Sequence, residues 1–498
     1  MILNDILNSL KNNGNKVFYV NNNEKYTYEM MYKSVKCLYS YLKECHVSKE
    51  PVIVFGHKSV FMIVCFLACS FLGIPYVPVD SALPKDRIKD IIDNVNPKVI
   101  FNTSKRNFFK NICKKRRILN FYDIINICSK EKNPNLDVKI CMKKQDLYYI
   151  IFTSGTTGKS KGVKISYENL NSFITFAKEK VKPKESIILN QAPFSFDLSV
   201  CDIYLALTTN STLVVLDKTF SYNINKIITY IKRNRVEIAV FTPTFADILL
   251  SSNSFSDINI PTLKKIFFCG EFLDINTVKK IYERFRKIKV INAYGPTECT
   301  VAVTSCNITK KMFNYSTLPV GKKSKYAKIS IFDENLKLLS EAEVGQIAIS
   351  GKSVGNGYLN DSVKTNERFV YINSKRYYLT GDTGYFKDDM LYFCGRDDNQ
   401  IKYKGYRIEL DDIKENIERL KYIEKAVVIP IKKDNKVVKL VAYVKLKKDD
   451  VIVTKIKEDL SKLIPNYMIP NIITLNQFPI NINGKLDTKK LEELFYER

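Results

Sequence analysis

Short, mostly apolar runs recur along the chain and alternate with amphipathic stretches, and no other feature of the sequence restricts its fold as strongly. Val52–Phe55, Val99–Phe101, Tyr149–Phe152, Thr212–Val215, Ile238–Phe241 and Lys265–Phe268 have the length of buried strands rather than of helices. Between such runs lie stretches like Ser166–Lys178 and Ile224–Arg233, whose apolar residues return at helical spacing. Strands with no polar alternation have to be covered on both faces, so the pattern predicts an α/β fold of layered, parallel sheets. From about Val320 the strands shorten and turn signals multiply, as around Gly345-Gln346-Ile347-Ala348-Ile349-Ser350-Gly351, which predicts an added β subdomain. A second shift falls at Arg396-Asp397-Asp398-Asn399. Beyond it come helical Asp411–Arg419, strands Ala426–Pro430 and Lys439–Val444, and helical Lys455–Leu463. The expected organisation is a large N-terminal domain, 1–397, and a small α+β C-terminal domain, 398–498, that is mobile about a hinge at Asp398.

Val60 to Val79 is apolar enough to raise a membrane helix. Gly73, Pro75 and Pro78 interrupt it after about 13 residues, short of the roughly 20 that a bilayer core requires. A buried helix followed by the strand Pro75–Val79 is expected instead. Met1 to Lys11 mixes Asn and Asp with its apolar residues, unlike a secretory signal. The chain is therefore expected to be soluble and cytoplasmic, without stable membrane insertion.

A net charge of +27 raises nucleic acid as a partner. The lysines, however, run from end to end, interleaved with Asn, Ile and Tyr. The longest basic cluster, Lys114-Lys115-Arg116-Arg117, has no RNA-binding aromatic pattern beside it. A solvated basic surface is expected, with no nucleic-acid partner. Twelve scattered cysteines, none in a C-x-x-C pair, read as reduced thiols, and two histidines, His46 and His57, are too few for a His-rich metal site.

The most specific chemistry lies in Ile151-Phe152-Thr153-Ser154-Gly155-Thr156-Thr157-Gly158-Lys159-Ser160-Lys161-Gly162. A buried strand runs into a loop whose glycines let the backbone approach phosphate oxygens, whose hydroxyls donate and whose lysines add charge. A Walker loop would need glycine where Thr153 stands. A merely structural turn would not need four hydroxyls and two lysines within 154–161.

This segment closely resembles the phosphate loop of the adenylate-forming superfamily: acyl-CoA synthetases, peptide-synthetase adenylation domains and luciferases. Further matches follow in that superfamily's order. They are Tyr26-Thr27-Tyr28-Glu29, Tyr76-Val77-Pro78-Val79-Asp80, Phe196-Asp197-Leu198-Ser199 and Asn292-Ala293-Tyr294-Gly295-Pro296-Thr297-Glu298. Gly345 to Tyr358, Tyr378-Leu379-Thr380-Gly381-Asp382, Gly395-Arg396 to Glu409, and Asn483-Gly484-Lys485-Leu486-Asp487 complete the set.

The resemblance implies a carboxylate attacking the α-phosphorus of ATP, a meeting of two anions that a protein assists by positioning and cationic stabilisation. It implies that Lys485 bridges the substrate carboxylate and the α-phosphate, and that Glu298 holds Mg²⁺ on the phosphates. Thr153, Ser154 and Lys161 would manage the leaving pyrophosphate. Tyr294 would offer a face to adenine and Asn292 would read its amino edge, with Ala293, Gly295, Pro296, Thr297, Phe393, Cys394 and Gly395 completing the nucleotide site. Asp382 would take both ribose hydroxyls, which suits a carboxylate's two acceptor oxygens, and Arg396 would reach the ribose from the hinge side. Outside that context Lys485 would be an ordinary surface lysine and Asp382 a turn cap. No histidine base is required, because the attacking carboxylate is ionised at neutral pH.

Asp197 narrows the substrate to an amino acid, since the resemblance pairs it with an α-ammonium; the structural alternative is a helix cap before Leu198-Ser199-Val200. Residues Asn190 to Val200, Phe267-Phe268-Cys269-Gly270-Glu271 and Thr297 to Ser305 look very like the branch that activates D-alanine for teichoic acid D-alanylation. There Cys269 and Val301 would line the side-chain pocket; the alternative for Cys269 is an inert buried thiol. A free-standing adenylation enzyme for another small amino acid is the competing reading. Ala293 departs from the commoner Thr before Tyr294, and Cys299 is also atypical. No G-G-x-S carrier serine follows Lys485, so the expected acceptor is a separate, acidic, phosphopantetheinylated D-alanyl carrier protein, suited to a basic surface. After adenylation the C-terminal domain is expected to turn about Asp398, withdraw Lys485 and present the Lys402–Arg407 loop to the arm.

Overall fold

Each apolar run named above forms a strand, and the strands join two large sheets. The computed structural model describes residues 1–498 except 107, 110–115, 131–136, 156–159, 221–222, 397–398, 434–435, 448–450, 480–485, 497–498 and the side chain of Lys489. The first sheet has six strands, in the spatial order Arg117–Leu119, Val99–Asn102, Val52–Gly56, Tyr76–Asp80, Leu147–Thr153 and Lys161–Ser166. The second has nine; its centre runs Lys289–Tyr294, Lys265–Phe268, Ile238–Phe241, Ile187–Asn190, Thr212–Val215 and Val17–Asn21, each parallel to its neighbour.

The missing polar alternation now has its reason. Along the nine-stranded sheet Ile188, Leu213, Val215, Ile238, Val240, Phe267 and Ile291 enter one apolar cluster. Their neighbours Leu189, Val214, Ala239, Phe241, Ile266, Phe268 and Val290 enter another. Both faces are covered, as parallel strands demand. The first cluster also takes in Val52, Val54, Phe101 and Ile151 of the six-stranded sheet, together with residues of the helices Val60–Leu72, Tyr167–Val181 and Leu198–Thr208.

The run that resembled a membrane helix is the helix Val60–Leu72, buried from Val60 through Phe71 and followed by the strand Tyr76–Asp80. Ser59 caps its start by accepting from the Phe61 N–H. Gly73 ends it at φ +76°, while the N–H of Ile74 returns to the Cys69 carbonyl at 2.9 Å; such a left-handed closure costs glycine nothing. Truncating one of its core phenylalanines would cost about 3–5 kcal/mol. No described helix is long and apolar enough to cross a membrane.

From Ala327 onward five strands form the expected β subdomain: Ala327–Phe332, Gly345–Gly351, Phe369–Ile372, Lys375–Lys387 and Met390–Arg396. The fold class is α/β, as the sequence indicates.

Contacts divide the chain into two compact units. One comprises Met1–Ser81, Asn94–Phe152 and Gly162–Gly395 and holds the large sheets and the β subdomain. The other comprises Ala82–Asp93, Thr153–Lys161 and Arg396–Arg498. Within this second unit the strands Ile423–Lys433, Lys436–Leu446 and Asn471–Thr474 form a sheet. Ala426, Leu440, Ala442 and Val444 pack one of its faces against Ile413, Ile456 and Leu460. Val427, Ile429, Val441 and Tyr443 pack the other against Leu491. A hairpin, Gln400–Tyr403 with Tyr406–Glu409, precedes the helix Leu410–Glu418. Arg87 and Asp412, both buried, form an ion pair at 3.0 Å.

Candidate functional site

The strand Lys289–Tyr294 delivers the richest group of candidate residues, because it runs directly into a tight turn and a short 3₁₀ helix, Thr297–Cys299. Asn292 donates from Nδ2 to the Pro319 carbonyl at 2.9 Å, which fixes the amide and directs Oδ1 to act as its acceptor. Ala293 beside it is buried. The Tyr294 hydroxyl donates to Asp382 Oδ2 at 2.6 Å, and its ring lies 6.2 Å from that of Phe393, tilted by 40°. Asp382 sits in the long strand Lys375–Lys387, only 1% exposed, with its backbone N–H bonded to Thr380 Oγ1 at 3.0 Å. Phe393, Cys394, Gly395 and Arg396 end the strand Met390–Arg396, where the Cys394 thiol is exposed.

Gly295 is required by a close approach. A Cβ there would meet Ala302 Cα at 2.6 Å and the Val301 carbonyl oxygen at 2.8 Å. That neighbour is itself unusual. Thr300 and Val301 have φ of +62° and +68°, and the Ala302 N–H closes on the Thr300 carbonyl at 2.8 Å, a three-residue turn centred on a β-branched side chain. Such a conformation is costly for valine and persists where the surroundings hold it. Cys269, just past the strand Lys265–Phe268 and 3% exposed, donates from Sγ to the Val301 carbonyl at 3.5 Å. Gly295, Val301 and Cys269 are therefore one interlocked group.

Asp197 precedes the helix Leu198–Thr208 but makes no side-chain cap bond to it. Its Oδ2 instead accepts from Thr297 Oγ1 at 2.7 Å. The turn after Tyr294 thus reaches Asp197 through Thr297 and Asp382 through Tyr294. The buried phenol of Tyr149 is pushed well above its ordinary range, first by desolvation and then by the nearby negative charge of Asp197.

Glu298, next to Thr297, is 1% exposed and accepts from the Tyr358 hydroxyl at 2.8 Å. One carboxylate is a modest donor set for a metal, and no group of three or more His, Cys, Asp or Glu among the described residues could hold an ion. The set fits Mg²⁺, which keeps its waters and binds through one or two carboxylates plus substrate phosphates.

The segment expected to bind phosphate begins at the end of the strand Leu147–Thr153. Ser154 Oγ donates to the Arg407 carbonyl at 2.7 Å, and Lys161 Nζ lies 3.4 Å from Glu409 Oε1. Arg407 and Gln400 are hydrogen-bonded to each other beside them. Three expectations fall outside the described residues: the hinge Asp398, the catalytic Lys485, and Thr156–Lys159 of the phosphate loop.

For several residues that shape this arrangement, no sign of the partner stood in the sequence. Thr297 stood there only as part of the nucleotide set, not as a partner for Asp197. Tyr358 closed a matched segment without an assigned task, and its bond to Glu298 spans 60 positions. Lys58 follows His57, whose Nδ1 meets Asp80 Oδ2 at 2.7 Å, and no local pattern marks the lysine.

The family described as AMP-binding enzyme matches residues 7–359. A D-alanine--D-alanyl carrier protein ligase of Bacillus licheniformis is 38% identical over 485 residues, covering 95% of either chain. A protein of that name from Listeria monocytogenes serotype 4b is 39% identical over 462 residues, covering 90% of each. Among solved structures, the adenylation domain AlmE of Vibrio cholerae, in complex with glycyl-adenosine-5'-phosphate, superposes with a TM-score of 0.84 at 20% identity over 100% of this chain and 98% of that one. The amide bond synthetase McbA of Marinactinospora thermotolerans gives 0.86 at 17% identity over 99% of both. At such identities the structural likenesses speak to the fold alone.

Proposed function

The chain belongs to the AMP-binding enzyme family and, within it, to the D-alanine--D-alanyl carrier protein ligases, and on that premise we propose how its residues divide the work. It uses ATP to activate D-alanine as the acyl-adenylate and passes the alanyl group to a carrier protein. The single observation that carries the assignment is the Asp197 carboxylate held by Thr297, on the turn that also bears Tyr294 and Glu298.

In this scheme Asp197 takes the α-ammonium of the amino acid, a pairing that a fatty or aryl acid could not supply. Adenine lies on the face of Tyr294, where the Oδ1 acceptor of Asn292 meets its amino group. Asp382, braced by the Tyr294 hydroxyl, takes the ribose hydroxyls, and Arg396 approaches the ribose as well. Ala293, Gly295, Pro296, Phe393, Cys394 and Gly395 enclose the nucleotide. Thr153, Ser154 and Lys161 receive the departing pyrophosphate.

Glu298 would hold Mg²⁺ on the nucleotide's phosphates, whose charge the ion would neutralise. Lys485 neutralises the two reacting anions and is the catalytic residue. With the ammonium on Asp197 and the carboxylate at Lys485, the two enantiomers exchange hydrogen and methyl. The thiol of Cys269 beside Val301 accepts a hydrogen and crowds a methyl. One such contact is worth roughly 1–3 kcal/mol, or a discrimination of about 10–200.

Residues 398–498 form the domain that brings Lys485 to the first step. Turning about Asp398, they exchange it for the Lys402–Arg407 loop in the second. The acceptor is a separate acidic carrier with a phosphopantetheine thiol, drawn to the +27 surface. The reaction serves teichoic acid D-alanylation in the cytoplasm.

ATP–pyrophosphate exchange with a panel of small amino acids tests the assignment. D-alanine should support exchange at least about tenfold better than L-alanine. Stronger exchange with glycine or another amino acid would overturn D-alanine as the substrate.

A further inference from the structure

The segment that leads to Asp197 is gripped from behind by a buried lysine. Lys58 follows the strand Val52–Gly56 of the six-stranded sheet and is 2% exposed. Its ammonium donates to the carbonyls of Gln191 and Leu216, both at 2.6 Å. Those carbonyls stand immediately past the ends of Ile187–Asn190 and Thr212–Val215, two neighbouring parallel strands of the nine-stranded sheet. One side chain from the first sheet thus fastens two strand ends of the second. The backbone of Lys58 is held in turn, its carbonyl accepting from the Tyr19 hydroxyl at 2.6 Å.

The grip continues toward Asp197. Asp202, fully buried in the helix Leu198–Thr208, accepts from Asn190 Nδ2 at 3.1 and 3.0 Å on its two oxygens. The same Nδ2 reaches the Ala192 carbonyl at 3.0 Å. Three successive residues, Asn190, Gln191 and Ala192, are therefore tied down just before the chain turns to Asp197, which itself begins the helix that carries Asp202. The buried ammonium is compensated by the two carbonyls and by the acids around it, so removing it would release the strand end that leads to Asp197.

Taking Asp197 as the ammonium site, on which this inference rests, we propose that Lys58 is a positioning residue for amino-acid binding: its ammonium clamps the Gln191 carbonyl and so sets where Asp197 meets the substrate. The groups facing it are acidic. Asp202 from the helix Leu198–Thr208, Asp80 from the strand Tyr76–Asp80, itself paired with His57, and Asp217 after Thr212–Val215 all favour the charged form. Burial, the largest influence, outweighs them and lowers Lys58 below the ordinary lysine range, as it raises Asp202 well above the carboxylate range. The ammonium is therefore easier to discharge at alkaline pH than that of an exposed lysine. Neutral amine bonds are roughly half as strong as charge-assisted ones, so the clamp weakens there.

The experiment is ATP–pyrophosphate exchange by the full chain and by Lys58→Met, with KM for D-alanine and for ATP measured between about pH 7 and 8.5, the window around the lowered lysine. The expected result is a D-alanine KM raised about tenfold in the variant with the ATP KM within about twofold, as loss of charge-assisted bonds at one substrate's site implies. The wild-type D-alanine KM should climb with pH, and the variant's should lack that climb. The substrate's own ammonium titrates alike for both. Equal rises in both KM values, or superimposable pH profiles, would overturn the proposal. Should that variant fail to fold, Lys58→Arg, which keeps a buried cation beside the two carbonyls, replaces it, and a D-alanine KM unchanged, or raised no more than the ATP KM, overturns the proposal. Absence of D-alanine-dependent exchange from the wild type would instead sink the substrate assignment, so the two failures are distinct.

Discussion

Thr297 Oγ1 donates to Asp197 Oδ2 at 2.7 Å, across 100 positions of sequence. The bond joins the segment proposed to carry the amino-acid site to the turn proposed to carry the nucleotide site.

In the proposed scheme Asp197 itself meets only the amino acid, so removing its carboxylate should act chiefly on that substrate. Asp197→Ala is expected to raise the amino-acid KM by about 30-fold or more, the equivalent of at least about 2 kcal/mol for a charged partner. Thr297→Val should raise it about fivefold, in keeping with one neutral donor. Initial-rate kinetics with each substrate varied in turn would separate these effects from a loss of ATP affinity.

Lys485→Ala should lower the adenylation rate by about 10²–10³, the range for losing one preorganised stabilising donor. Single-turnover formation of the adenylate is the direct measurement, and near-normal turnover would remove Lys485 from the chemistry.

Cys269→Ala should narrow the preference between alanine enantiomers by about tenfold, by opening space beside the Val301 carbonyl that the thiol now touches. An unchanged preference in competitive exchange would show that this thiol does not face the side chain.

Asp398→Pro separates the two half-reactions. Proline fixes φ and restricts the residue before it, so a hinge at this position would stiffen. Adenylate formation should survive while transfer to the carrier fails; equal loss of both would count against a hinge there.

The layering was legible in the sequence because a parallel sheet imposes a local demand. Strands covered on both faces need near-continuous apolar residues, and Val52–Gly56, Ile238–Phe241 and Lys265–Phe268 meet it within four or five positions. Helix Val60–Leu72 was equally legible, since its length and Gly73 are local facts. The residues proposed for the nucleotide and amino-acid sites, Asp197, Tyr294, Glu298 and Asp382, were legible in another way, through short segments that resemble those of the adenylate-forming superfamily. Their partners were not. Thr297 on Asp197, Tyr358 on Glu298 and Lys58 on Gln191 are contacts between residues 60 to 133 positions apart. Hydrogen bonds at that separation depend on which strands become neighbours, and no composition rule encodes it. The helix cap that Asp197 offers in sequence is absent in the structure: its backbone is already helical, with φ −61° and ψ −30°, rather than extended as a capping residue's is, and its carboxylate accepts from the Thr297 hydroxyl. Local chemistry, then, determined what each segment could contribute, while only the folded chain decided which groups meet, because orientation across sheets is set by packing rather than by neighbours along the backbone.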